Sequence, residues 1–455
     1  MKFQKFLSFI CLSLTLIGCA SVKTNTEFYT PIIKDIKHGE YKSAVVKIEN
    51  AEKSDEYGNK DRVLKYLDKG IIYHYAGDFE KSNKELEAAE YAMEELFTKS
   101  ISKGAASILL NDNALDYAGE VYENLYINIF KALNYIQLKK FDDAYVEVRR
   151  VNNKLKELEV KYEDYVESLN SSDDKKFDID PVELDYFNNV LANYMSHIIL
   201  RADGNEDGSR ISLEKLNEAW EAHSDVYNYA KPFAVDSTTT AREFFLNIIA
   251  FAGNAPVKVP IGARITTFND LITITDPTNF HGDAIPFPGV KGGYNFKFEF
   301  PEIEEEGTLV YSIRVKVDSQ YVGELELLEN MCRVAKKTFE QQKSITYFKT
   351  AARAVLKGIS ANALGNKAKK GSNGFLGELM AAAINVASDL SENADLRCWR
   401  TMPGYSFVGE FPINKGIHNI ELGFFDGTGK LLYKKTFENY NVAGDFNLLE
   451  AFYLN

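Results

Sequence analysis

Apolar positions recur at helical spacing from residue 28 to about residue 250, in a stretch almost free of proline. Two parts of it share an order of small and aromatic residues. In the first, Tyr66, Gly70 and Tyr73 precede Gly77-Asp78-Phe79, then Ser82, Leu86 and Ala89. In the second, Ala132 and Tyr135 precede Lys139-Lys140-Phe141, then Ala144, Val148 and Val151. A fainter copy runs through Gly39, Tyr41, Ala44, Ile48 and Ala51. The copies lie 38 and 62 residues apart, so an additional helix over 114–130 is expected to interrupt them. After a polar break at 169–181, Leu184, Phe187, Val190, Leu191, Tyr194 and Ile198 predict a helix over 182–202, and residues 213–230 predict another.

The pattern changes at Gly253. Six of the eleven prolines lie between Pro256 and Pro301, which ends the helical reading there. Alternating runs at 264–268, 271–275 and 294–300 predict half-buried strands. A hairpin is expected from Leu309 to Val317, returning through Val322 to Leu327. Further strands are expected at 406–411, 417–425 and 430–437, with a turn at Asp426–Gly429. Between the two β units, three helices are predicted: 327–341, one marked by Ile345 to Ile359, and one marked by Phe375 to Leu390.

The small and aromatic residues at these offsets resemble tetratricopeptide repeats, in which a small residue on one helix admits its partner closely. In such an array Tyr66, Tyr73 and Tyr135 are candidates for a partner-binding groove. The expected fold is an all-α tetratricopeptide-like superhelix over 19–252. An α+β region of antiparallel hairpins follows, with a β-rich segment at 253–330 and a helical hairpin plus sheet at 331–455.

The first residues constrain location. Lys2 and Lys5 precede an apolar run from Phe6 to Ile17, too short to span a bilayer and shaped like a signal peptide over 1–18. It ends in Leu16-Ile17-Gly18-Cys19, which resembles a bacterial lipobox and makes Cys19 the expected lipidation site. Ala20 and Ser21 carry no acidic retention signal, which by the same resemblance favours the outer membrane. The expected membrane contact is therefore a lipid anchor. A net charge of −13 argues against nucleic acid, whose phosphates require clustered Lys and Arg. Beyond Cys11 and Cys19, only Cys332 and Cys398 remain, either as core residues or as a disulfide.

Candidate chemistry is sparse. Residues 203–214 spell D-x-N-x-D-G-x5-E, the pattern of an EF-hand loop, with Asp203, Asn205, Asp207 and Glu214 as calcium ligands. Arg210 stands where a branched aliphatic residue is normal, and the motif occurs once. A polar interhelical turn is therefore the stronger reading. Asp395, Arg397, Trp399 and Arg400 form a charged and aromatic cluster able to grip a carboxylate or sugar, or else a structural ion pair with a buried Trp. The six histidines form no paired motif, and no nucleotide, dinucleotide or hydrolase fingerprint occurs. No cofactor is expected. A lysine loop at Lys367, Lys369 and Lys370 is either a solvated turn or a contact for anionic head groups.

Residues 327–357, then 392–422 with Ala394, Asp395, Arg397, Trp399 and Pro403, and residues 111–151 resemble an uncharacterised family of bacterial lipoproteins. That family has tetratricopeptide-like N-terminal halves. The resemblance implies this architecture and an envelope location; it does not supply an activity. The expected function is a lipid-anchored, non-enzymatic scaffold whose groove receives an envelope protein or peptide, in cell-wall or surface assembly. The alternative is an envelope protein that binds or hydrolyses glycan.

Overall fold

A computed structural model describes residues 26–102, 115–170, 189–236, 244–275, 283–286, 290–343, 346, 394–444 and 446–455. The described residues between 26 and 222 form helices and the turns that join them. Four antiparallel pairs follow one another: α1 (Thr26–Lys37) with α2 (Tyr41–Lys53), α3 (Arg62–Tyr75) with α4 (Phe79–Ser102), α5 (Val121–Gln137) with α6 (Phe141–Asn170), and α7 (Val190–Ala202) with α8 (Glu206–Ala222). α5 runs continuously from Val121 and is itself the first helix of its pair, so the extra helix expected over 114–130 does not stand apart from it.

All four pairs are joined by the same three-residue turn. Its middle residue has a left-handed backbone: Gly39 (φ 72°), Gly77 (φ 79°), Lys139 (φ 59°) and Gly204 (φ 74°). Each turn closes with the same two bonds, for example Gly77 N to the His74 carbonyl and Asp78 N to the Tyr73 carbonyl. These satisfy carbonyls the helix end would leave open. Within a pair, close approach depends on small residues. A Cβ on Gly70 would lie 2.5 Å from the Leu86 side chain, and the Ser82 hydroxyl donates to the Gly70 carbonyl at 2.7 Å.

The C-terminal half departs from the expected hairpins. Seven strands make one nearly closed, barrel-like sheet in the order β10-β9-β6-β7-β8-β1-β11. The strands are β1 (Phe245–Asn254), β6 (Ser312–Val317), β7 (Gln320–Asn330), β8 (Pro403–Pro412), β9 (Gly416–Phe425), β10 (Leu431–Val442) and β11 (Asn447–Tyr453). Stacked rings of Tyr433 and Tyr453, 5.1 Å apart, bring its two edge strands together. β1 pairs antiparallel with β8 and parallel with β11, Ile249 lying opposite Glu450. A simple α+β set of hairpins is therefore the wrong description, for a physical reason. Nine of the ten β1 residues are buried, because both faces are covered. Leu246, Ile248, Ala250 and Ala252 fill the sheet interior, while Ile249 and Phe251 pack on the helices. A strand covered on both sides loses its alternation and reads as the tail of an apolar helix.

A second, antiparallel sheet has the order β4-β3-β2-β5, from β2 (Val257–Phe268), β3 (Leu271–Thr275), β4 (Asp283–Pro286) and β5 (Asn295–Glu304). α9 (Met331–Gln341) follows β7 directly and packs on α5, β8 and β5. The expected helix at 327–341 thus begins four residues late, because Leu327–Asn330 remain in β7. The helices expected at 345–359 and 375–390, the lysine loop, and Cys19 lie outside the described residues.

Candidate functional site

The first helices of the central pairs are enclosed. In α3, α5 and α7, 11 of 14, 14 of 17 and 11 of 13 residues are buried. The second helices α2 and α8 bury only 3 of 13 and 5 of 17. The face that a tetratricopeptide-like array would offer to a partner is covered here by the chain's own sheet and α9.

Buried polar groups tie this seam. Asp68 of α3 accepts from the Tyr29 and Tyr57 hydroxyls, both at 2.8 Å, and from Thr401 beside β8 at 2.6 Å. Burial pushes its carboxyl up to about 6 against those hydrogen bonds. Glu123 of α5 accepts from Tyr117 at 2.8 Å and from the Trp399 backbone N–H at 2.6 Å; burial and the nearby Glu120 push it up to about 7. Glu329 of β7 accepts from Tyr126 at 2.8 Å, Tyr227 at 3.0 Å and Asn189 at 3.1 Å, and burial raises it too. Tyrosine hydroxyls thus grip each carboxylate where the helical half meets the C-terminal half.

His74 makes a fourth tie. Its Nδ1 lies 2.7 Å from Asn134 Oδ1, and its Nε2 lies 2.8 Å from Glu450 Oε1. Asn134 spends its amide N–H groups on Ser82 and Asn83, so its oxygen is turned to the imidazole. Both ring nitrogens therefore face acceptors and both carry protons. Burial opposes that charge, but Glu450 outweighs it, and the pKa is raised. Phe79, Phe130 and Phe452 surround the pair.

The residues singled out from sequence occupy this seam or its margins. Arg397 is 3% exposed and forks onto Asp395 at 2.9 and 2.8 Å. It also bonds Asp61 at 3.0 Å and the Leu115 carbonyl at 3.1 Å, which joins the segment before β8 to the helical half. Trp399 is fully buried against Phe130, and its Nε1 meets no acceptor among the described residues. Arg400 lies over the Tyr29 ring at 5.9 Å. Of the groove candidates, Tyr73 is buried and donates to Glu49 at 2.7 Å, while Tyr66 and Tyr135 are half-buried against the core. They do not line an open groove together.

Asp203 ends α7, and Asn205 caps α8, its side chain accepting from Gly208 N at 2.9 Å. Asp207 and Glu214 lie within α8, where Arg210 pairs with both. The twelve-residue stretch is therefore the fourth interhelical turn and two turns of helix. Among the described residues, no three His, Cys, Asp or Glu side chains converge as a metal site would require. Cys332 and Cys398 are buried free thiols, the latter pushed by burial up to about 11. The thiols flank the bend between β1 and β2, Cys332 against the Asn254 carbonyl and Cys398 against that of Pro256.

Sequence reasoning missed Asp68, His74, Glu123 and Glu329. The available signal was an ionisable residue within a stretch apolar on all sides, as in IIYHY and VYENLYINIF.

The outward face carries a second regularity. Val46, Val146 and Ile211 each stand seven residues after their turn's left-handed residue, and all are 43–55% exposed. Tyr91 and Val160 fall further heptads along α4 and α6 and are also exposed. No family model, curated protein or solved structure matches this chain.

Proposed function

We propose that this protein is a lipid-anchored, non-enzymatic scaffold of a bacterial envelope, and that its partner protein docks on the outward faces of α2, α6 and α8. Its own C-terminal sheet fills the inner face of the array. The observation that carries this reading is the row Val46, Val146 and Ile211, exposed at one repeat position in three of the four pairs, Lys84 standing there in the other, while α3, α5 and α7 are enclosed. An apolar side chain repeated at one solvent-facing position is what a docking ridge requires. The non-enzymatic part draws support from the raised carboxylates Asp68, Glu123 and Glu329, which tyrosines enclose in the seam. The anchor rests on Cys19 and its lipobox.

A photo-crosslinking residue at Val46, Val146 or Ile211 in living cells is expected to capture one envelope protein. The same residue at Tyr73 or Tyr135 is expected to react within the chain. Capture from Tyr73 or Tyr135, with none from the outward row, overturns the proposal. Cys19→Ser is expected to move the protein from the membrane to the soluble fraction; unchanged membrane retention refutes the anchor.

A further inference from the structure

A cleft of about 290 Å³ opens at the rim of the seam. Phe141 and Tyr145 of α6, with Phe446 just before β11, form its walls. Phe141 and Phe446 meet edge to face, with ring centroids 5.1 Å apart. Ile199, Leu200 and Ala202, the last turn of α7, form its floor. Among the described residues, Asp142 and Asp203 supply its charged groups, and no Lys or Arg lines it. Asp203 also caps the C-terminus of α7, where the helix dipole is negative.

We propose that this cleft binds a quaternary ammonium group of the choline type. Aromatic faces attract a weakly hydrated cation through their quadrupoles, and the two carboxylates add long-range attraction. The aliphatic floor selects between cations. A primary ammonium carries three N–H donors, and those facing Ile199 and Leu200 would lose their water without a replacement. Methyl groups on nitrogen have nothing to lose there and pack on the same surface.

The test is titration of the full chain with choline, its neutral isostere 3,3-dimethylbutan-1-ol, and ethanolamine, followed by calorimetry. Choline is expected to bind at least about tenfold more tightly than either control. Phe141 is 39% exposed and Asp203 ends a helix at the surface, so Phe141→Ala and Asp203→Asn are chosen to keep the fold, as checked by circular dichroism. Phe141→Ala is expected to weaken choline about threefold to thirtyfold, the range of a cation–aromatic contact, and Asp203→Asn about fivefold, the loss of one opposite charge in a water-exposed cleft. Glycerophosphocholine distinguishes the source: binding equal to choline assigns a lipid headgroup, and binding of choline alone assigns a free ligand. Equal affinity for choline and its neutral isostere overturns the proposal. So does choline affinity unchanged in both folded variants.

Discussion

At the scale of single residues, the turn at Lys139 holds a correctable strain. Its three counterparts are glycines, and Lys139 adopts the same left-handed backbone with a side chain attached. Lys139→Gly removes the contact between Cβ and the following carbonyl, less the extra chain entropy glycine must lose. The expected gain is about 0.5–1 kcal/mol in urea unfolding; a loss of stability would show that the lysine does more than turn the chain. His74 acts in the opposite sense. His74→Ala leaves Glu450 buried without its cation, which costs about 3–5 kcal/mol. Glu450→Gln in the same background should recover part of that cost, because a neutral amide needs no counter-charge.

At the scale of elements, helix pairing depends on space as much as on pattern. Gly70→Val drives a branched side chain into Leu86 and is expected to cost about 1–3 kcal/mol by overpacking. Gly70→Val with Leu86→Ala should restore part of it, and a failure to do so would place the strain elsewhere. These helix pairs were legible because small residues, turns and apolar stripes recur at fixed offsets, and Gly39, Gly77 and Lys139 already marked three of the turns. The fourth turn hid behind Asp203, Asn205, Asp207 and Glu214, whose chemistry also suits calcium. β1 and β11 were illegible for the converse reason. Their partners are remote in sequence, and burial on both faces erases the period of two. The row at Val46, Val146 and Ile211 was readable only once Gly204 proved equivalent to Gly39 and Lys139. The seam carboxylates could not be assigned, because which half faces Asp68 or Glu123 is a tertiary fact.

At the scale of the whole molecule, the seam gives stability an unusual pH dependence. Asp68, Glu123, Glu329 and His74 all hold their protons more tightly folded than unfolded. Each therefore contributes stability at low pH that is lost as pH rises: for Asp68 between 3.8 and about 6, and for Glu123 between 4.5 and about 7. For His74 the loss begins above 6.5. Glu90 opposes them only in stronger acid. Burial alone would raise it, but Lys154 and Lys131 pull it down to about 2, so its contribution fades below 4.5. His197 opposes them inside the window, since burial and then Arg201 push it down to about 4, so its contribution is lost as pH falls below 6.5. In a His197→Asn background, which removes that contribution, the urea midpoint is expected to be higher at pH 5 than at pH 8, and Glu123→Gln should flatten the slope between pH 4.5 and 7. A midpoint that rises from pH 5 to pH 8 in that background contradicts this account of the seam. The central claim is that the inner face of the helical array is closed by the chain's own sheet. Hydrogen exchange of the full chain tests it most directly, comparing α5 and α7 with β1 and β11. The account predicts that all four segments are protected together and open in one event, since each buries the others. Rapid exchange along α5 and α7 while β1 and β11 stay protected would show an open groove and contradict it.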